Sequence, residues 1–156
     1  PRYLARRILK MAVEDIGLAD PQAQGICLEA WQTFERLGSP EGEQAIGNAV
    51  IYLALAPKSN AGYAAYNAAR ALAKTGSEPP PLHIRNAPTK MMREMGYGAD
   101  YAYDHDQEDA FSGQNYFPEG MKRPVLYTPP ERGFERELKK RVEYFAKLRG
   151  KRNGTG

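Results

Sequence analysis

The chain has 156 residues, of which 42% are hydrophobic and 26% charged, and its formal net charge is +3. This balance is typical of one globular domain. Cys27 is the only cysteine, which excludes an intrachain disulfide and fits a reducing compartment. No apolar run approaches the roughly 18 residues that a membrane-spanning helix needs.

The basic charge is concentrated near the C-terminus. Residues 131–152 carry nine basic and four acidic side chains, so this segment has a charge of +5 and residues 1–130 have a charge of −2. We therefore expect no diffuse basic surface over the body of the domain.

The first half of the chain predicts four helices, and their short connections favour antiparallel packing of successive helices. The first helix is already running at the start, without a methionine, and ends at Gly17. Because of this start, we expect a piece of a longer protein or a processed chain. Asp20, before Pro21, is placed to cap the second helix. The apolar stripe of that helix contains Ile26, Ala30 and Phe34, with Cys27 and Trp31 beside it.

The third helix is preceded by Ser39 as a cap and ends at Pro57, and its stripe contains Ile46, Ala49, Val50 and Leu53. Ser59 or Asn60 caps the fourth helix, which ends at Gly76. This helix has alanines on every side, so we expect it to pack on more than one side. The alanines are Ala61, Ala64, Ala65, Ala68, Ala69, Ala71 and Ala73.

The second half changes character, because eight of the twelve prolines lie between Pro79 and Pro130. Thr89 to Met95 predicts a short helix capped by Thr89. The stretch 96–130 predicts an ordered irregular segment, since disordered chains lack such aromatic density. Its rings are Tyr97, Tyr101, Tyr103, Phe111, Tyr116, Phe117 and Tyr127. A basic helix with a thin apolar stripe follows from Glu131 to Leu148.

These patterns predict an all-α, bundle-like fold of about five to seven helices with a long irregular segment rich in aromatic residues and proline. We expect residues 1–150 to form one domain and Lys151 to Gly156 to be a disordered tail.

The sequence lacks a glycine-rich phosphate loop, a dinucleotide fingerprint and a nucleophile motif, so we predict no catalytic residue and no cofactor in this chain. Asp104, His105 and Asp106, with Glu108 and Asp109, form the one metal-like run. Capping by Asp106 of a helix near Gln107 explains these acids better than a metal does. We interpret His83 as a packed or hydrogen-bonded side chain rather than a base.

Four cations at loops or helix ends are candidates for contact with DNA phosphate or an acidic partner: Lys58, Arg85, Lys90 and Arg93. The alternative is solvated charge or ion pairing. Tyr97, Tyr101 or Tyr103 could stack on bases of a single strand, but we favour burial of these rings because the surrounding charge is acidic. The final helix admits nonspecific nucleic-acid binding or plain solvation.

Four runs of residues together resemble one family: 14–21, 52–60, 83–98 and 101–106. Their order and spacing are similar to the C-terminal region of the RarA/MgsA replication-associated recombination proteins. These are AAA+ ATPases related to the clamp loaders and to the Werner-helicase-interacting proteins. The resemblance covers residues 3–148, and nothing after Leu148 matches.

The resemblance implies an N-terminal ATPase domain that is absent here and that binds ATP and magnesium. It implies a helical C-terminal region that holds a homotetramer in a role like the clamp-loader collar. It also implies action on DNA at stalled or gapped forks, a link to single-strand-binding protein, and a cytoplasmic, nucleoid-associated location.

The first functional hypothesis is a noncatalytic oligomerisation domain with candidate interface residues Tyr63, Ala65, Tyr66, Ala68, Tyr101 and Tyr103. The second is a nucleic-acid- or partner-binding module that uses the four cations and the final helix. The third is a metal-dependent enzyme at Asp104–Asp109.

Overall fold

The computed structural model describes residues 1–76 and 78–154, and within them all regular structure is helical. The predicted all-α class is therefore confirmed. There are six α-helices: α1 (Arg2–Met11), α2 (Ala23–Leu37), α3 (Glu41–Leu55), α4 (Ala61–Ala73), α5 (Lys90–Glu94) and α6 (Glu135–Arg152). Single turns of wider or tighter helix occur at Ala12–Ile16, Gly17–Ala19, Leu82–Ile84, Asp104–Asp106 and Glu108–Ala110.

The chain forms two compact units, and the single domain expected over residues 1–150 stays a prediction. The first unit contains Pro1–Ala71 and Leu126–Arg141. The second contains Leu72–Val125 and the residues from Val142 onward.

The core of the first unit is built from α1, α2 and α3, and most of its buried side chains are small. Gly42 on α3 shows how closely two of these helices approach, because a Cβ there would lie 2.6 Å from the Cα of Phe34 on α2. The core residues are Ala5, Ile8, Ala12, Ile16, Ala23, Cys27, Ala30, Ile46, Ala49, Leu53 and Ala56. Small residues at the contact allow this close packing.

The buried stripe of α2 consists of Ala23, Cys27 and Ala30, whereas Ile26 and Phe34 lie at its edge and are half-buried. The sequence placed Ile26 and Phe34 at the centre. The difference arises because the closest helix approach selects the smallest side chains. Burial raises the pKa of the Cys27 thiol.

The ends of these helices differ from the predictions by a few residues. Asp20 precedes α2 by a turn, and its Oδ1 accepts a hydrogen bond from the Gln22 N–H at 3.1 Å. Ser39 does not cap α3 through the backbone, since its hydroxyl donates to Glu43 Oε1 at 2.6 Å. Of the two candidate caps for α4, Ser59 accepts from the Ala61 N–H at 3.2 Å.

The expected packing of α4 on more than one side is wrong within this chain. No residue of α4 is buried. Its half-buried alanines include Ala61, Ala65 and Ala69, which follow at four-residue spacing and so lie on one side. Alanine favours helix without any burial, so an alanine-rich sequence does not by itself require neighbours on every side.

The last helix begins and ends about four residues later than predicted. The segment before it is held to the first unit, where the Phe134 N–H donates to the Ala19 carbonyl at 2.8 Å. Lys151 and Arg152 belong to α6 and not to a tail, and the Arg152 guanidinium donates to the Glu108 carbonyl. The remainder of the predicted tail includes Thr155 and Gly156, which lie outside the described residues.

Gly133 occupies a position that other residues cannot share, because its φ is +49° and a Cβ would meet the Ala19 carbonyl oxygen at 2.0 Å. We expect Gly133→Ala to lower the free energy of unfolding by about 2 kcal/mol or more, from strain and backbone displacement. Urea denaturation measures this. The matched control is Gly25→Ala in α2, where a Cβ meets open space; it should raise stability by about 0.5–1 kcal/mol. Equal stabilities of the two variants would contradict the close approach at Gly133.

The first residue of α6, Glu135, is fully buried, and its Oε1 accepts a hydrogen bond from the Tyr127 hydroxyl at 2.8 Å. Burial and this hydrogen bond raise the pKa of Tyr127 well above its usual range. Because the folded state resists ionisation, stability is fully present below about pH 10, the unfolded pKa, and falls as the pH rises further.

We therefore expect the free energy of unfolding to fall more steeply above pH 10 in the wild type than in Tyr127→Phe, where that phenol is gone. Urea denaturation at a series of pH values measures both slopes. Tyr3→Phe, at a tyrosine of α1 that is 77% exposed, is the control and should keep the wild-type slope. Identical slopes for Tyr127→Phe and the wild type would rule out the coupling to Glu135.

Candidate interaction surfaces

Lys58, the first of the predicted contact residues, lies in the first unit and closes the end of α3. Its Nζ donates to the carbonyl oxygens of Leu53 at 2.9 Å, Ala56 at 2.9 Å and Ala54 at 3.4 Å. A cation at a helix C-terminus satisfies carbonyls that have no partner within the helix. These bonds engage the ammonium group with the chain itself.

The other three cations lie in the second unit, and two of them are held by the chain. Arg85 donates from Nε to the Pro80 carbonyl at 2.7 Å, and its guanidinium lies 5.2 Å from the ring centroid of Tyr97. Arg93 donates to the Ala87 carbonyl at 3.2 Å. Lys90 is exposed at the start of α5 and pairs with Glu94, with 3.8 Å between Nζ and Oε1. The side-chain oxygen of Thr89 accepts from the Met92 N–H as predicted. The four cations therefore do not gather within one unit.

The aromatic rings of the irregular segment are less buried than the sequence predicts. None of the seven falls in the buried class, and Tyr101, Tyr103 and Tyr116 are each exposed by about half. Other rings contact arginines or one another, as Phe111 does with Phe145 at 5.1 Å between centroids. The acidic surroundings were therefore no guide to burial of these rings. Hydrogen bonds between polar side chains and the backbone hold the loops in place instead. The Gln114 side chain, for instance, bonds the backbone of Ala102 and Asp100.

The acidic run at Asp104 has a structural role that differs from the predicted one. No α-helix begins near Gln107, so Asp106 is not a helix cap. Instead, Asp104 Oδ1 accepts from the Ser112 N–H at 2.7 Å. Hydrogen bonding by the Ser112 side chain, and then by its backbone N–H, lowers the pKa of the Asp104 carboxyl. Among residues 1–76 and 78–154, no group of three histidine, cysteine or acidic side chains is placed to hold a metal ion.

An apolar exposed surface of the first unit lies on α3. Residues 49–56 read Ala-Val-Ile-Tyr-Leu-Ala-Leu-Ala, so two turns of helix are apolar on every side. Ala49 and Leu53 face the core, whereas Ile51 is 61% exposed and Leu55 is 83% exposed. We call Val50, Ile51, Ala54 and Leu55, which are all exposed, the outer face of α3.

Helical periodicity did not predict this outer face and wrongly placed Val50, which is 41% exposed, on the buried stripe with Ile46, Ala49 and Leu53, although the signal was present. A helix that is apolar all round is typical of burial on all sides. The periodicity was read over the whole of α3, so the unbroken apolar run in its second half was overlooked. The predicted interface residues on α4 are also accessible. Tyr63 is 50% and Tyr66 60% exposed, Ala68 is exposed, and Ala65 is half-buried.

No helix in the described part of the chain is long and apolar enough to cross a membrane. Residues 1–146 match the family described as the MgsA AAA+ ATPase C terminal. The chain is 53% identical over 150 residues to a Replication-associated recombination protein A of Coxiella burnetii, covering 95% of this chain and 34% of that protein. The relative of the same name in Escherichia coli K12 is 47% identical over 148 residues, or 94% and 33% of the two chains.

A eukaryotic relative is also similar. The protein named ATPase WRNIP1 in Dictyostelium discoideum is 45% identical over 129 residues, which are 81% of this chain and 15% of that protein. The chain thus spans about a third of the length of the bacterial relatives it matches. The resemblance inferred from the four runs is confirmed, and the chain belongs to the family of MgsA AAA+ ATPase C-terminal domains.

Proposed function

We propose that this domain is the noncatalytic module that joins the subunits of a AAA+ ATPase acting in replication-associated recombination, and that it assembles as a homotetramer. The observation that carries the proposal is the apolar outer face of α3, which nothing in the described chain covers.

The energetics favour covering this face. Burial of apolar surface is worth about 25 cal/mol per Å², and contiguous exposed apolar patches mark interaction sites on soluble domains. Leu55 and Ile51 lie four residues apart, so their side chains form one ridge. Ridges of this kind pack into the grooves of a partner helix.

The occupant that we propose is a second copy of the chain. The alanines of α4 permit close approach of a partner backbone, and Tyr63 and Tyr66 offer large rings with a polar end. The outer face of α3 and residues 63–68 of α4 belong to the same compact unit, so every copy carries both surfaces. Closed symmetry then lets each surface meet its equivalent or its complement.

The longer protein supplies the rest of the proposed function. The relatives' names point to replication-associated recombination. In this proposal the ATPase domain binds ATP and magnesium, and the tetramer acts on DNA at stalled or gapped forks together with single-strand-binding protein in the cytoplasm. This domain contributes assembly and no catalytic group.

Native mass tests the proposal directly. Light scattering on a sizing column, over a dilution series, should give about 70 kDa for a tetramer of the 17.4 kDa chain. Ile51→Glu and Leu55→Glu should each shift the mass to that of smaller species, because a charge buried at the interface is left unpaired. Gln32→Glu, at an exposed position of α2, is the matched control and should keep the wild-type mass.

Circular dichroism of each variant separates dissociation from unfolding. Both α3 positions are exposed in the single chain, so helix content should be unchanged. Ala68→Glu tests the α4 surface in the same way. A wild-type chain that stays monomeric at all concentrations would overturn the proposal and assign the α3 outer face to the rest of the longer protein.

A further inference from the structure

A cavity of about 550 Å³ lies within the second unit, away from α3 and α4 in sequence. Two loops form its walls, and the ring of Tyr116 forms a third side. Its lining residues are His83, Ile84, Arg85, Asn86, Ala87, Gly98, Tyr101 and Tyr116. This volume falls in the range typical of small-molecule sites, roughly 300–1,000 Å³.

The two loops are held together, so the cavity is preformed. The Gly98 N–H donates to the Leu82 carbonyl at 2.9 Å. Arg85 donates from Nη1 to the Tyr97 hydroxyl at 3.4 Å and lies over that ring. Gly98 has a φ of +72°, and a Cβ there would lie 3.5 Å from the Arg85 carbonyl oxygen. A fixed wall reduces the entropy lost when a ligand binds.

The polar groups of the lining are suited to an anion. Among the residues that the structure describes, no carboxylate lines the cavity, whereas Arg85 supplies a permanent positive charge and Asn86 an amide. Arg85 uses Nε and part of Nη1 within the chain, which leaves further guanidinium donors for a ligand. A guanidinium that is anchored in this way is suited to phosphate recognition.

His83 forms part of the cavity wall. Its Nε2 is buried and has no hydrogen-bond partner among the described residues. Because this nitrogen is shielded from solvent, His83 contributes to the wall without offering a hydrogen bond to a ligand in the open cavity. The ring also lies 6.2 Å from the Tyr116 ring, centroid to centroid.

The aromatic lining adds a preference for a planar group. Tyr101 is 52% and Tyr116 44% exposed, so both rings present surface that the chain does not cover. A base stacks on such rings with little regard to its identity. The cavity thus combines hydrogen-bond donors for a phosphate with rings on which a base can stack, and these are the two recognisable parts of a nucleotide.

We propose that this cavity binds a nucleoside monophosphate unit, with the phosphate on Arg85 and the base against Tyr101 and Tyr116. The unit is either a free mononucleotide or one residue of a single strand, and the chemistry recognised is the same. This inference does not depend on the proposed assembly function.

The probes are thymidine monophosphate, thymidine, inorganic phosphate and a fluorescein-labelled dT12 strand, titrated against the full chain by calorimetry and fluorescence anisotropy. We expect thymidine monophosphate to bind more tightly than thymidine or phosphate alone, since both halves are recognised. Tighter binding of dT12 than of the mononucleotide would identify a single strand as the source of the bound unit. Tighter binding of the mononucleotide would identify a free nucleotide as the source. Either order of affinities supports the site.

Two matched pairs of variants locate the binding. Tyr101→Ala should weaken the binding of thymidine monophosphate about 10-fold. Tyr103 is equally exposed but does not line the cavity, so Tyr103→Ala should leave this affinity unchanged. Arg85→Gln should weaken the binding of the phosphate-bearing probes. Arg93→Gln also removes a hydrogen bond to a backbone carbonyl, but it should leave the affinity for these probes unchanged.

Circular dichroism and native mass confirm that each variant keeps its fold and assembly state. Equal effects of Tyr101→Ala and Tyr103→Ala would overturn the proposal. Binding of phosphate as tightly as the mononucleotide would overturn it too, as would failure of every probe to bind. In each of these cases the assembly proposal is unaffected, because its readout is native mass.

Discussion

The close contact between α2 and α3 is the constraint on which the first unit depends. Gly42 allows α3 to approach the backbone of Phe34, and alanines supply much of the surrounding core. Such a core packs tightly but holds few large side chains. Large apolar residues of the same helices are consequently left outside, as Ile51 and Leu55 are. The apolar outer face of α3 is therefore a consequence of how the core is built.

A second set of contacts holds the segment before α6 to the first unit. Gly133 passes close to the Ala19 carbonyl, and the Arg132 side chain donates to the Lys58 carbonyl at 3.1 Å. Tyr127 and the buried Glu135 complete this anchor. These contacts join residues far apart in the sequence, and they hold the segment before α6 out of helical conformation until Glu135.

Several charged side chains in this domain bond backbone carbonyls. Lys58 closes α3, Arg85 and Arg93 bond carbonyls of the segment before α5, and Arg152 donates to the Glu108 carbonyl. Their positions in loops and at helix ends suggested contact with a partner. The same positions are where backbone carbonyls lack helical partners, so an internal role competes directly with an external one. Arg85 has donors left over, and there the two roles are compatible.

The sequence by itself determined the helical class, most helix locations, the Thr89 cap and the family, because periodicity, capping residues and long matching runs are local signals. Only the tertiary structure decided which side of α3 is exposed, that α4 has no buried residue, and where α6 begins and ends. An apolar residue reads the same whether it faces its own core or solvent. A hydrogen bond to a carbonyl far along the chain has no local signal in the sequence, so these features follow only from the folded structure.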